Sequence, residues 1–189
     1  DGYDEDGNLK YVDRDGNGVL NNDDKFITGD PNPDFTYGLN SDIRFKDFEF
    51  SFFFQGSQGN DVFNVAETAN LDQGMGLNLK KDVLYSHWSS NNTETQNIAA
   101  KYPKVTRKLN LNYSDRYVEN GSYLRFKDIK LAYTLPSQWF AGSRKPNISV
   151  YLSGQNLITI TSYSHYDPEA SWTSSAVNGW DRGVYPSAK

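Results

Sequence analysis

The 189-residue chain contains no cysteine, two histidines and one methionine. Without cysteine there is no disulfide framework, no thiol nucleophile and no thiolate metal site. No apolar run approaches the ~18 residues that a membrane-spanning helix requires, and the mean hydropathy of -0.74 is too polar for a helical membrane protein. A spanning β-strand needs only about 10 residues, half of them apolar, so the same deficit leaves a β-type membrane protein open. Positive charge is scarce too, since 19 Lys and Arg stand against 24 Asp and Glu for a net charge of -5. The one basic cluster, Lys101 to Lys108, is small and reads as a solvated loop, so a nucleic-acid partner is not expected. His87 and His165 sit in loop-like stretches without a Gly-framed serine, a helical His pair or a phosphate-cradling loop, and both read as surface histidines. No catalytic residue is assigned. The chain opens on Asp1 with no basic stretch leading into an apolar segment, so no signal peptide is legible, and processing or truncation is expected to account for this start.

What is abundant is aromatic. Phe, Trp and Tyr make up 15% of the residues, and many of them alternate. Phe35, Tyr37, Leu39, Ser41, Ile43 and Phe45 fall on one parity, and Thr36, Gly38, Asn40, Asp42 and Arg44 on the other. After a Lys46-Asp47 turn, Phe48, Phe50, Phe52 and Phe54 share a face against Glu49, Ser51, Phe53 and Gln55. This period-two pattern predicts a hairpin of two strands about 10 or 11 residues long, where strands of soluble domains run nearer 5 or 6. Residues 56–121 carry no sustained periodicity and read as one large polar loop. A second hairpin is expected over 123–133 and 147–160. Leu124 and Phe126 lie on one parity and Ile129, Leu131 and Tyr133 on the other, which requires a bulge near Lys127-Asp128. In the return strand Gly154 and Asn156 interrupt the apolar face. The fold class expected is all-β, an antiparallel transmembrane β-barrel segment with long extracellular loops. Four strands cannot close such a barrel, since about eight is the smallest workable number, so the chain is expected to be a piece of a larger one.

The first 33 residues are rich in Asp, Asn and Gly and predict an exposed loop, with strands and loops filling 34–189. Within that loop, Asp13-Arg14-Asp15-Gly16-Asn17-Gly18-Val19-Leu20-Asn21-Asn22-Asp23-Asp24 has the spacing of an EF-hand-type calcium loop. Oxygen side chains stand at positions one, three, five and nine, glycine at six and a carboxylate at twelve. Asp13, Asp15, Asn17, the Val19 carbonyl, Asn21 and Asp24 supply the hard oxygen ligands that a structural Ca²⁺ requires. Aspartate at position twelve resembles dockerin-type loops, and no flanking helix pair suggests a sensor. Asp4-Glu5-Asp6-Gly7-Asn8 starts like a second such loop without continuing, and reads as a solvated turn. Late in the chain, Tyr163, Tyr166, Trp172, Trp180 and Tyr185 stand among polar residues, suiting either sugar rings and protein partners or self-packing of the loop. Carboxylate pairs such as Asp167 and Glu169 could serve glycoside hydrolysis, but two acidic residues in a loop are common and nothing in the sequence sets their separation.

Gly29-Asp30-Pro31-Asn32-Pro33-Asp34-Phe35 resembles the G-N-P-N-P-D-F of SusC/RagA-type, TonB-dependent outer-membrane transporters, with Asp30 in place of that family's usual asparagine. Phe53-Phe54-Gln55-Gly56-Ser57-Gln58-Gly59-Asn60-Asp61 resembles F-F-Q-G-S-x-G-N-D. Ser122-Tyr123-Leu124-Arg125-Phe126-Lys127-Asp128, Tyr133-Thr134-Leu135-Pro136, Ser153-Gly154-Gln155-Asn156-Leu157 and Tyr166-Asp167-Pro168-Glu169 continue in family order. The resemblance covers most of 29–189 and places the chain in the family's C-terminal third. It implies a twenty-two-stranded barrel in the Gram-negative outer membrane, in contact with its lipid. It further implies energising by TonB through a part absent here, a SusD-like surface lipoprotein partner, and import of oligosaccharides or peptides. It also puts 56–121, the stretch after Ser162 and the calcium loop outside the cell. The alternative is a soluble, secreted, calcium-stabilised β-sandwich that binds carbohydrate, and a hydrolase using Asp167 or Glu169 stands third.

Overall fold

The computed structural model describes residues 2–71, 78–106, 113–140, 142, 146–169 and 178–183. The chain divides into two compact units, one of residues 30–62 and 120–169, the other of 1–29, 63–119 and 170–189.

The first unit is built on four long strands, β1 (Phe35–Phe45), β2 (Phe48–Gln58), β5 (Tyr123–Thr134) and β6 (Ser149–Thr161). They pair antiparallel in the order β1-β2-β5-β6. Phe45 faces Phe48 across the Lys46-Asp47 turn, where Lys46 takes φ 53°, a left-handed conformation that a two-residue hairpin needs in at least one position. The register shifts between Phe126 and Asp128 against both neighbours, so Lys127 is the bulge residue. Opposite it on β6, Asn156 adopts φ 50°, which asparagine tolerates better than most residues. The bulge restores phase, and Leu124, Phe126, Ile129, Leu131 and Tyr133 all face the same way as Phe54, Phe52, Phe50 and Phe48. Phe54 stacks on Phe126 with ring centroids 4.4 Å apart, and Phe48 meets Tyr133 at 4.6 Å. Gly56 continues this face, where a Cβ would lie 2.3 Å from the Tyr37 ring, so only glycine lets that ring lie across β2.

The second unit is made of short pieces. Strands β3 (Asp61–Asn64), β4 (Val118–Asn120) and β7 (Trp180–Asp181) form a small sheet in the order β4-β3-β7, and, among the described residues, the helices α1 (Val65–Leu71), α2 (Lys81–Ser86) and α3 (Glu94–Ile98) punctuate the loop. The stretch expected as one large polar loop therefore carries local order. Its helices are five to seven residues long, too short for an apolar period to register, and side-chain caps mark α1 and α3 instead. Asn64 accepts from the Glu67 N–H at the start of α1, and Thr93 and Gln96 form a capping box on α3. A small core gathers Val83 and Tyr117, both 1% exposed, with Phe63, Leu79, Tyr102 and Val105. Phe63, Tyr113 and Trp180 add edge and tilted ring contacts at 5.4–5.9 Å. The turn at Asp4–Asn8 is not fully solvated. Gly7 lies directly under Trp88, where a Cβ would come within 2.3 Å of the indole, and its carbonyl accepts from the Lys104 N–H.

Candidate functional site

The four-stranded sheet has two faces of opposite chemistry. One presents Leu39, Ile43, Phe50, Phe52, Leu131, Leu152, Ile158 and Ile160, with Phe35 and Tyr37 at one end and Phe45, Phe48 and Tyr133 at the other. These side chains are not folded into a core: Leu152 is 76% exposed, Ile160 65% and Leu39 58%. Across all described residues, the buried apolar side chains are Val62, Val83, Tyr117, Ala132 and Tyr163. The other face carries Asn40, Asp42, Arg44, Glu49, Ser51, Gln55, Arg125, Lys130, Ser153, Gln155 and Thr159. In water an apolar face of this size, left uncovered, is unfavourable, whereas in lipid it is the expected outer surface of a barrel.

Both ends of the sheet are set by the register. The Lys46-Asp47 turn and the 135–148 connection lie at one end. The 59–122 connection, the start of β1 and the exit of β6 lie at the other, where Phe35 pairs with Gln58 and Tyr123 with Thr161. Two of the family-like segments meet there. Asp61 N–H donates to the Asp30 carbonyl at 2.7 Å, and Asp30 N–H donates to the Asp61 carboxylate at 3.0 Å.

The acidic loop folds tightly. Asp13, Asp15 and Asp24 bring carboxylate oxygens within 4.8 Å of one another. Asp13 accepts from the N–H groups of Gly16 and Gly18, Asp15 from Asn17, and Asn17 from Val19. Gly16 and Gly18 take φ 71° and 79°, the left-handed turns that let the chain wrap round its own oxygens. Asp24 closes the ring by accepting from the Arg14 N–H at 2.7 Å and the Asn21 N–H at 2.8 Å. Those backbone donors, Asn21 first and Arg14 second, hold its carboxyl below the ordinary value. Asn21 uses its Oδ1 to cap the 3₁₀ turn Asn22–Asp24, and the Val19 carbonyl accepts from the Asn21 amide at 3.3 Å. The donor set is hard oxygen throughout, and three carboxylates this close repel one another unless a cation lies between them. The residues present therefore fit a calcium ion.

The remaining sequence candidates separate. His87 turns its Nδ1 onto the Val83 carbonyl at 2.9 Å, closing the end of α2. His165 lies against Tyr166 with ring centroids 4.3 Å apart, and its Nε2 is buried without a hydrogen-bond partner among the described residues. Trp180 packs on Phe63 inside the loop unit and Tyr163 is 5% exposed, while Tyr166 stands out at 63%. Trp172 and Tyr185 lie outside the described residues. Asp167 and Glu169 both bind the guanidinium of Arg125 on β5. The partnership of Arg125 with the late loop was not legible from spacing, although all three residues stand within the family-like motifs. In the loop unit, Tyr3, Tyr11, Trp88, Tyr113 and Arg116 line an open groove of about 1890 Å³.

No family model matches the chain. Among curated proteins it is similar to TonB-dependent receptor P3 of Formosa agariphila, 36% identical over 185 residues that make up 95% of this chain and 18% of that protein. It is also 30% identical to TonB-dependent receptor SusC of Bacteroides thetaiotaomicron, over 98% of this chain and 17% of the relative. A solved structure of the RagAB peptide importer in its closed-closed state superposes with a TM-score of 0.71 at 29% identity, covering 93% of this chain and 19% of that one. The chain thus spans about a fifth of the length of the relatives it matches.

Proposed function

Because the chain belongs with the TonB-dependent receptors of the SusC/RagA type, which are outer-membrane proteins, we propose that it forms part of the wall and outer loops of an importer. The uncovered apolar face of the β1-β2-β5-β6 sheet carries this reading. Its strands are 11 to 13 residues long, enough to cross a bilayer at the usual tilt, with aromatic residues at both ends where the interfaces would lie. The outer edges of β1 and β6 cannot stay unpaired in lipid, so further strands of the same receptor complete a closed barrel around the polar face. The end bearing the 59–122 connection faces outside the cell, since outer-membrane barrels keep their long connections there.

In this reading the polar face lines the solute path. The loop unit, with its aromatic groove, contacts a glycan or peptide and a SusD-like surface lipoprotein, and TonB energises the receptor through a part outside this chain. Calcium held by Asp13, Asp15, Asn17, the Val19 carbonyl, Asn21 and Asp24 stiffens the first loop. No catalytic step is required.

The test is sedimentation of the chain with and without detergent. Dependence on detergent, or on the rest of the receptor, supports the reading. A soluble monomer with a cooperative fold would overturn it in favour of a calcium-stabilised binding domain.

A further inference from the structure

After β6 ends at Thr161, the chain does not leave at the rim of the sheet. It folds back across the polar face. Glu169 Oε1 accepts from Gln55 on β2 at 2.6 Å and from the Tyr123 hydroxyl on β5 at 2.7 Å. Its other oxygen accepts from Arg125 Nη1 at 2.5 Å, with Lys127 Nζ 3.9 Å away. Arg125 also donates through Nη2 to Asp167 at 2.5 Å and through Nε to Thr159 on β6 at 3.0 Å. Arg125, 6% exposed, thereby ties the segment to β5 and β6, and Gln55 ties it to β2. Asp167 in turn accepts from the Glu169 N–H at 2.9 Å, which fixes the two carboxylates relative to each other.

Two cations, Arg125 and Lys127, balance two anions, Asp167 and Glu169, within this cluster. The contacts are between polar side chains, on a face that water reaches in the proposed function. Separating a buried pair such as Arg125 and Asp167 gives up their attraction but returns hydration to both charges, so the two largely offset, unlike an apolar anchor, which must expose surface to let go. The cluster is thus strong enough to hold a segment and weak enough to be exchanged.

We propose that Tyr163–Glu169 is a strap laid across the solute-facing side of the sheet, held by Arg125, and that it must leave the wall for solute to pass. This rests on the reading of that face as the pore wall. Gln55 and Glu169 are replaced by cysteine in the full receptor, this chain contributing none of its own, and joined by a short reducible bis-maleimide. Uptake of a fluorescent oligosaccharide mixture and of a fluorescent tryptic digest is then followed in energised cells. Joining the pair is expected to lower uptake about tenfold or more, with recovery on reduction. Uptake that is equal with the strap joined and free, zero included, overturns the proposal. In parallel, Arg125→Gln should mobilise a spin label at position 166. A label that stays as immobile as in the wild type shows that Arg125 does not hold the strap. A fluorophore at Leu152 reports separately on the underlying reading, because a lipid-phase quencher reaches it only if the apolar face lies in the membrane. Failure there removes the pore wall itself and with it the strap.

Discussion

The two units of this chain solve the same problem by opposite means. The loop unit is folded as a water-soluble protein is, around a small centre in which Val83 and Tyr117 are almost wholly buried among Phe63, Leu79, Tyr102 and Val105. The strand unit has regular elements about twice as long as a typical strand, yet its largest apolar residues are turned outward. Its order within this chain comes from ladder hydrogen bonds, aromatic cross-strand pairs such as Phe54 and Phe126, and polar side-chain clusters. The difference teaches where each unit finds its hydrophobic stabilisation. The loop unit buries its own apolar surface, while in the proposed function lipid and neighbouring strands cover that of the strand unit.

The most forceful way to break the comparison is to truncate the centre of the loop unit. Tyr117→Ala should cost about 3–5 kcal/mol, as for other large aromatics removed from a core. It should appear as lost hydrogen-exchange protection in α2, with the amides of β2 and β5 unchanged. Tyr117→Phe sharpens the point. Burial pushes the phenol up to about 12, and the hydroxyl has no hydrogen-bond partner among the described residues. Deleting it should therefore leave α2 protection equal or higher. A large loss with phenylalanine would show that the hydroxyl, rather than the ring, holds the site.

The next effect contrasts the two faces of one strand. Leu152→Arg, on the apolar face of β6 between its middle and the Phe48–Tyr133 end, should destabilise the membrane-inserted receptor by about 1–3 kcal/mol, between the costs of arginine at the bilayer midplane and at the interface. Ser153→Arg, one residue on, faces the polar side and should change stability by well under half of that. Urea unfolding of the receptor in lipid vesicles separates the two. Equal effects at both positions would mean that the sheet does not divide lipid from water.

Much of the strand unit was legible in the sequence because a β-strand writes its faces into alternate residues. Even the phase break in β5 was readable, and the structure places the extra residue at Lys127. The acidic loop was readable for a similar reason, since Asp13, Asp15 and Asp24 meet within a dozen residues and the glycines mark the turns. What stayed hidden depends on contacts distant in sequence. Arg125 finds Asp167 and Glu169 from 42 and 44 residues away, and Gly7 finds Trp88 across the loop unit. No local period encodes such meetings. Helices of five to seven residues were missed because they complete fewer than two turns, and only α1 and α3 carry a capping side chain to signal them.

The smallest expected effect concerns the acidic loop, which belongs to the loop unit but has no apolar centre of its own. Its carboxylates are held by backbone N–H groups, and Asp24 titrates below the ordinary carboxylate value because Asn21 and Arg14 donate to its charged form. A depressed folded-state value makes the contribution of Asp24 fully present above its unfolded pKa of about 4 and lost as pH falls through the lower folded one. Hydrogen exchange at Arg14 and Asn21 should therefore be slow at neutral pH and quicken under strong acid, beyond the chemical pH dependence of exchange, before α2 responds. Asp24→Asn should remove that acid-dependent step. Calcium should slow the same amides further at neutral pH, with magnesium far less effective because the smaller ion demands a stricter octahedral shell. If calcium leaves them unchanged while the acid step persists, the hydrogen-bonded turn suffices to order the loop and the cation has no part in it.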